Sequence, residues 1–358
     1  MQTHEIVIIE GDGIGKELTE ASLFILKEIE KKIDSLQINF KFRDAGARFY
    51  ELNGTNISHE TLEDIRQSDA LLKGPVGLPH VRFSDGTEAG LLGGVLRNGL
   101  DVFANVRPIK LLPGVEAPLK ALPGEIDYVI VRENTEGLYL SRGRGVGNDS
   151  AMTDTLMITR KGTERVIRFA FDLARRRSGS PKSKTRRVTC VDKSNVLASF
   201  ALFREIFYEV ASEYPDIEHD CMYADAAAQA LVMSPSDFDV LVMENFLGDI
   251  LSDLGGGTIG GIGLCPSGNI GGKHAYFEPI HGSAPDIEGQ DLANPISQIL
   301  SAGLMLDYLG EHKASELLSS SLYMALDNGE LKINATGQPE RGTRHATEAI
   351  ANALLELY

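Results

Sequence analysis

Basic residues, cysteines, prolines and long apolar runs are all scarce in this chain, and each scarcity removes a class of protein. Lys and Arg number 35 against 51 Asp and Glu, leaving a formal charge of −16. A nucleic-acid or anionic-membrane partner needs a basic footprint and is therefore not expected. The one basic run, Arg175-Arg176-Arg177 to Arg186-Arg187, is broken by Ser-Gly-Ser-Pro and reads as a solvated helix end and loop. Three cysteines, Cys190, Cys221 and Cys265, are odd in number and far apart. Neither a disulfide framework nor a zinc site is indicated, and reduced, mostly buried thiols are expected. No apolar stretch approaches the roughly 18 residues of a membrane span. The opening Met1-Gln2-Thr3-His4-Glu5 lacks a basic-then-apolar secretion signal, so a cytoplasmic location is expected. With 14 prolines in 358 residues and 42% hydrophobic side chains, a sizeable core and two lobes are the expectation.

What is present is an alternation of strand and helix patterns. Glu5 to Ile9 is β-rich, Gly11-Asp12-Gly13-Ile14-Gly15 breaks it, and Leu18, Ala21, Ile25 and Ile29 then recur with helical period. Ala70 to Leu72, Tyr128 to Arg132, Arg187 to Val191 and Asp239 to Met243 read as strands. Thr163 to Arg177 and Asn195 to Tyr214 read as helices, and Asn294-Pro295 is a helix-start signal. The fold class is α/β. The glycine turn is not the dinucleotide fingerprint: its spacing is G-x-G-x-G, and Glu28-Ile29-Glu30 lies inside a helix where an acidic strand end would be needed.

Asp249 and Asp253, four residues apart after the strand-like run Asp239-Val240-Leu241-Val242-Met243, share one face of any helix that begins near Gly248. Two carboxylates plus water and substrate oxygens suit Mg²⁺ or Mn²⁺. Arg97 and Arg107 stand ten residues apart, and Arg132 precedes Glu133-Asn134-Thr135-Glu136-Gly137-Leu138-Tyr139. Three converging guanidinium forks suit a di- or tricarboxylate. Val191-Asp192-Lys193-Ser194-Asn195, Tyr223-Ala224-Asp225 and Phe277-Glu278-Pro279-Ile280-His281-Gly282-Ser283-Ala284-Pro285-Asp286-Ile287 complete the series.

This series, in this order from Gly11 to about Glu348, closely resembles the β-decarboxylating dehydrogenases, the family of isopropylmalate, isocitrate, homoisocitrate and tartrate/malate dehydrogenases. The resemblance implies a two-domain, non-Rossmann α/β fold. Residues 1–102 and 261–358 would form a large cofactor-binding domain, and 103–260 a small dimerisation and metal-binding domain. It implies a homodimer with shared active sites. Arg97, Arg107 and Arg132 would clamp the substrate carboxylates, while Asp249 and Asp253, with Asp225 of the neighbouring subunit, would hold the metal. Lys193, also from the neighbour, and Tyr139 would handle protons. Glu278, His281, Gly282, Ser283, Ala284, Asp286, Ile287 and Asn294 would line the cofactor site. An acidic residue at Asp286 would accept from a free ribose hydroxyl and repel a 2′-phosphate, favouring NAD.

The resemblance also bears on the substrate. Glu88-Ala89-Gly90-Leu91-Leu92 looks like the apolar pocket of isopropylmalate enzymes, where burying the isopropyl group is worth on the order of 2 kcal/mol. The first choice is NAD-dependent oxidative decarboxylation of 3-isopropylmalate, with Leu91 and Leu92 beside the substituent and no evident anchor for a third carboxylate. Isocitrate, homoisocitrate, D-malate or tartrate are alternatives, because the Arg132 to Tyr139 segment is closer to the isocitrate and homoisocitrate style. An alternative of another class is a metal-dependent lyase that does not use NAD.

Overall fold

The computed structural model describes residues 2–84 and 86–357. Strand β1 (Gln2–Ile9) leads into helix α1 (Gly15–Glu30), β2 (Leu36–Phe42), α2 (Ala47–Asn53), α3 (His59–Gln67), β3 (Ala70–Lys73) and α4 (Gly93–Gly99). The middle of the chain forms β4 (Ala104–Lys110), β5 (Asp127–Glu133) and the short pair β6 (Val146–Asn148) and β7 (Ala151–Thr153). It continues through α5 (Arg160–Arg176), β8 (Arg187–Asp192), α6 (Ala198–Ala211), β9 (Glu218–Tyr223), α7 (Ala224–Met233), β10 (Val240–Met243) and α8 (Asn245–Thr258). The chain closes with β11 (Pro266–Ile270), β12 (Ala275–Pro279), α9 (Ile296–Tyr308), α10 (His312–Asp327) and α11 (Gly342–Glu356). Among these described residues no helix is long and apolar enough to cross a membrane.

Ten strands make one sheet in the order β2-β1-β3-β12-β11-β4-β5-β10-β8-β9. The two flanks are parallel, as strand-helix alternation demands, but β12, β11, β4 and β5 run antiparallel to their successive neighbours. That reversal is invisible in the strand patterns. The first five positions come from the two chain ends and the last five from residues 104–243. A core built from both halves, including Ile8, Tyr128, Leu241, Phe277 and Leu322, lies on one face. A second, around Val131, Phe171, Cys190, Phe203 and Val242, is almost wholly from the middle of the chain.

Two helices start where local hydrogen bonding puts them and not where the apolar pattern suggested. Helix α8 begins at Asn245, ahead of Gly248, because the Glu244 carboxylate accepts from the N–H groups of Phe246 and Leu247 at 2.9 and 3.2 Å. Helix α6 begins at Ala198, because the Lys193 carbonyl takes the N–H groups of Val196 and Leu197 in a turn. Asn294 behaves as expected of a start signal, its Oδ1 accepting from Ile296 N at 3.0 Å.

The basic run is not merely a solvated helix end. Arg177 donates to Asp239 Oδ1 at 2.7 Å and to the carbonyl and carboxylate of Asp127, both at 2.9 Å. The Asp239 carboxylate is fully buried. Arg177→Ala would strand that anion, so a loss of about 3 kcal/mol in denaturant unfolding is expected. A loss below about 1 kcal/mol would show that Arg187 N, 3.1 Å from Asp239 Oδ2, is partner enough.

Candidate active site

Helix α8 presents Asp249 and Asp253 on one face, and β4 and β5 bring two arginines to it. Arg107 Nη1 lies 3.6 Å from Asp249 Oδ1 and 3.5 Å from Asp253 Oδ1. Its guanidinium is held by Asn105 Oδ1 and Ser252 Oγ, each at 2.6 Å. Arg132 is paired directly with Asp249 and donates twice to Asn245 Oδ1, at 2.9 and 2.6 Å. Gly248 makes this crossing possible, since a Cβ there would sit 2.6 Å from Arg132 Cβ and Cγ. Tyr139 donates to Asp249 Oδ2 at 2.6 Å, its ring 5.6 Å from the Arg132 guanidinium. Arg97 arrives from α4 with its Nε buried and without a hydrogen-bond partner.

The charges act on one another. Burial, followed by the like charges of Arg97 and Arg107, pushes the Arg132 guanidinium down, with Asp249 opposing. Burial alone would raise the Asp249 carboxyl, but Arg132, the Tyr139 hydroxyl, Arg107 and Arg97 outweigh it and hold the group below the usual range. Asp253 moves the other way, raised by burial and by Asp249 despite Arg107. Tyr139 is pushed up to about 12, by burial first and then by Asp249, and so keeps its proton at neutral pH.

Arg97, Arg132, Tyr139 and Asp249 open on a cavity of about 580 Å³ whose wall also includes Leu91 and Leu138, whereas Arg107 and Asp253 are not part of that wall. Leu92, expected beside Leu91, is instead wholly buried in a core with Leu96 and Leu100, because neighbouring residues at the mouth of α4 point to opposite sides. Lys193 and Asp225 are paired with each other at 2.7 Å, and neither lines this cavity. Among the described residues of one chain, no three acidic, His or Cys side chains converge as a metal site would require.

Glu278 to Asn294 form a second group. Glu278 is paired with Lys73 at 2.5 Å and accepts from Asn269 Nδ2 at 3.1 Å. His281 sets Nδ1 2.9 Å from the Gly282 carbonyl and leaves Nε2 buried without a partner, and burial pushes the imidazole down. The glycine turn meets this loop. Ile14 N donates to Ser283 O at 2.8 Å, and Gly13, at φ 56°, passes so close that any Cβ would strike that carbonyl. Ala284 is in the left-handed region, Gly282 and Asp286 are exposed, and Ile287 packs near Ile14, Leu18 and Ala293. Asn294 is buried and donates to Gly337 O at 2.8 Å.

Sequence reasoning missed the residues that hold the arginines, Asn105, Asn245 and Ser252, although Asn245 opens the Asn-x-x-Gly-Asp segment and Ser252 lies within it. It also missed Arg142, three residues past Tyr139. Arg142 joins the cavity wall and donates to Glu88 O at 2.8 Å.

Because its carboxyl is held low, Asp249 contributes stability that is complete above about pH 4 and fades as pH falls through its lowered value. Asp249→Asn should therefore lower stability by about 1–3 kcal/mol at pH 7. The gap between variant and wild type should close in acid unfolding below about pH 3. A gap that persists there unchanged would mean shape, not charge, explains the loss.

Comparison with known proteins is consistent with this geometry. The family model for isocitrate/isopropylmalate dehydrogenase matches residues 5–350. A 3-isopropylmalate/3-methylmalate dehydrogenase of Methanocaldococcus jannaschii is 45% identical over 328 residues, covering 91% of this chain and 92% of the relative. A 3-isopropylmalate dehydrogenase of Archaeoglobus fulgidus is 39% identical over 99% of both. Among solved structures, the isocitrate dehydrogenase of Methylococcus capsulatus superposes with a TM-score of 0.86 at 36% identity, covering 98% of this chain and 99% of that one. The TT0538 protein of Thermus thermophilus gives 0.86 at 37% identity, covering 98% of this chain and 68% of that one. The chain belongs to the isocitrate/isopropylmalate dehydrogenase family.

Proposed function

We propose that this enzyme oxidatively decarboxylates a 3-substituted malate, with 3-isopropylmalate the first candidate, using NAD and Mg²⁺ or Mn²⁺. The observation that carries the reading is the convergence of Arg97 and Arg132, with Arg107 behind them, on a cavity that also holds Asp249, Tyr139 and the apolar side chains Leu91, Leu138 and Leu140. Guanidinium forks grip the two carboxylates, and the leucines take the substituent. The relatives' names agree with this choice. A second reading has one observation in its favour: Arg142 in the wall offers a cation to a third carboxylate, as isocitrate or homoisocitrate would need.

The donor set fits a divalent ion. Asp249 and Asp253 are hard oxygen ligands one helical turn apart, and when bound the ion would polarise the hydroxyl and the developing enolate oxygen. NAD, bound along the Glu278 to Asn294 loop, would accept the hydride. Within that frame Tyr139, protonated at neutral pH, stands ready to protonate carbon after CO₂ leaves. Asp225, held ionised by Lys193, has the charge a third ligand needs. Neither Lys193 nor Asp225 lines the cavity of its own chain, and Val196 and Leu197 just after Lys193, Met233 at the end of α7 and Ile250 on α8 are exposed apolar side chains. A second copy covering them would bring this pair to the first copy's cavity, with 1–102 and 261–358 as one domain and 103–260 as the shared one.

Initial rates with NAD and Mn²⁺ against 3-isopropylmalate, isocitrate, homoisocitrate, D-malate and tartrate test the substrate. Turnover without NAD would replace the proposal with a lyase, and highest kcat/KM for a tricarboxylate would move the assignment to Arg142. Lys193→Ala and Tyr139→Phe should each lose at least about 10²-fold in kcat. Mixing the two variants after co-refolding should restore about a quarter of wild-type sites, because half the dimers are mixed and each rebuilds one intact site. No recovery in verified mixed dimers would overturn site sharing.

A further inference from the structure

We propose that Cys190 and Cys221 form a reactive dithiol that a hydroperoxide converts to a reversible disulfide, and that closing this bond unseats Lys193 and Asp225. The two cysteines are far apart in sequence, but parallel pairing of β8 with β9 makes them direct register partners, between Thr189↔Asp220 and Val191↔Met222. Register partners project to the same face of a sheet. Paired strands stand about 4.8 Å apart, inside the Cα separation of about 4.4–6.8 Å that a disulfide spans.

The surroundings divide the labour between the two sulfurs. Cys190 is fully buried, and burial pushes its thiol well up. Cys221 is partly exposed on β9, the last strand of the sheet. The neighbouring Cys190, outweighing burial and joined by the Tyr208 hydroxyl and the Arg204 guanidinium, holds the Cys221 thiol below its usual range. Arg204 is itself fixed by two hydrogen bonds to buried Asp192, at 2.7 and 3.0 Å, and Cys190 Sγ lies 3.7 Å from the same carboxylate. A partly exposed cysteine with a lowered thiol beside a buried one is the arrangement of an attacking and a resolving cysteine. Cys265 offers the contrast, since burial pushes its thiol up to about 12 and it sits just before β11, on the far side of β4 and β5 from the other two.

The chemistry balances with one peroxide. The Cys221 thiolate attacks a peroxide oxygen, the O–O bond breaks, and water or an alcohol leaves after protonation, giving the sulfenic acid. Cys190 then loses its proton and attacks Cys221 Sγ, forming the S–S bond and releasing water. Two thiols lose two electrons in all, and the peroxide gains them. Closure turns Cys190 Sγ away from the Asp192 carboxylate, now 3.7 Å from it, just before both strands end. Asp192 and Tyr223 are the next partners facing the same way, and Lys193 and Asp225 follow them, 2.7 Å apart. The expected effect on turnover rests on the reading of Lys193 and Asp225 given above, whereas the disulfide itself does not.

The full-length protein treated with hydrogen peroxide, alkylated and digested without reductant tests both parts. A linked peptide containing Cys190 and Cys221 is expected, with Cys265 unmodified. Native Cys221 should alkylate with iodoacetamide at least about ten times faster than Cys265. Activity should fall at least about tenfold as the linked peptide accumulates and return with dithiothreitol, while Cys221→Ser should keep its activity through the same treatment. Absence of the linked peptide, or equal alkylation rates, overturns the dithiol in wild-type protein without recourse to a variant. A linked peptide with undiminished turnover overturns the coupling to Lys193 and Asp225.

Discussion

The placement of one carboxylate between guanidinium groups organises the active side of this molecule. Arg107 and Arg132 are buried, and Arg97 adds a third like charge, so without a counter-ion they would repel one another in a medium that screens poorly. Asp249 supplies that counter-ion, touching Arg132, Arg107 and the Tyr139 hydroxyl. Three elements from separate parts of the chain are thereby locked to helix α8. The same interaction splits the two helix carboxylates, keeping Asp249 ionised and leaving Asp253 the more basic. A site arranged in this way has net positive charge toward an anionic acid and a ready pair of oxygens toward a cation.

A second constraint is steric and lies where the glycine turn meets the 281–287 loop. The first strand-to-helix turn has no Cβ at Gly13, which lets Ile14 N hydrogen-bond the Ser283 carbonyl and brings the 281–287 loop against the start of α1. The glycines of that turn thus serve backbone-to-backbone packing, in keeping with a spacing that departs from the dinucleotide fingerprint. Burial of Glu278 on Lys73 and of Asn294 against the start of α9 pins the loop at both ends. The loop residues between them, Gly282 and Asp286 in particular, remain exposed.

Much of this could be read before any coordinates. Flank strands such as β1, β3, β8 and β10 are short apolar runs bounded by turn residues, and α1 and α5 carry the helical period, so their existence follows from local pattern. The antiparallel centre could not be read, since β11 holds Ser267, Gly268 and Asn269, which are buried polar or small residues paired with Asn105 and not an apolar alternation. Leu92 and Leu91 are indistinguishable by type, and only the turn into α4 decides which faces the cavity. Arg142 and Ser252 are ordinary surface types in a sequence and acquire meaning from what they touch.

The sequence by itself determined the family, the acidic and arginine groups available for chemistry, and the helical spacing that aims Asp249 and Asp253 the same way, because these depend on residue identity and on contacts within a few positions. Tertiary structure alone decided which arginines lose their water, which carboxylate becomes their counter-ion, and that Cys190 lies opposite Cys221. Those outcomes depend on strand order and register, which are set by burial summed over the whole sheet and so are not encoded at any one site.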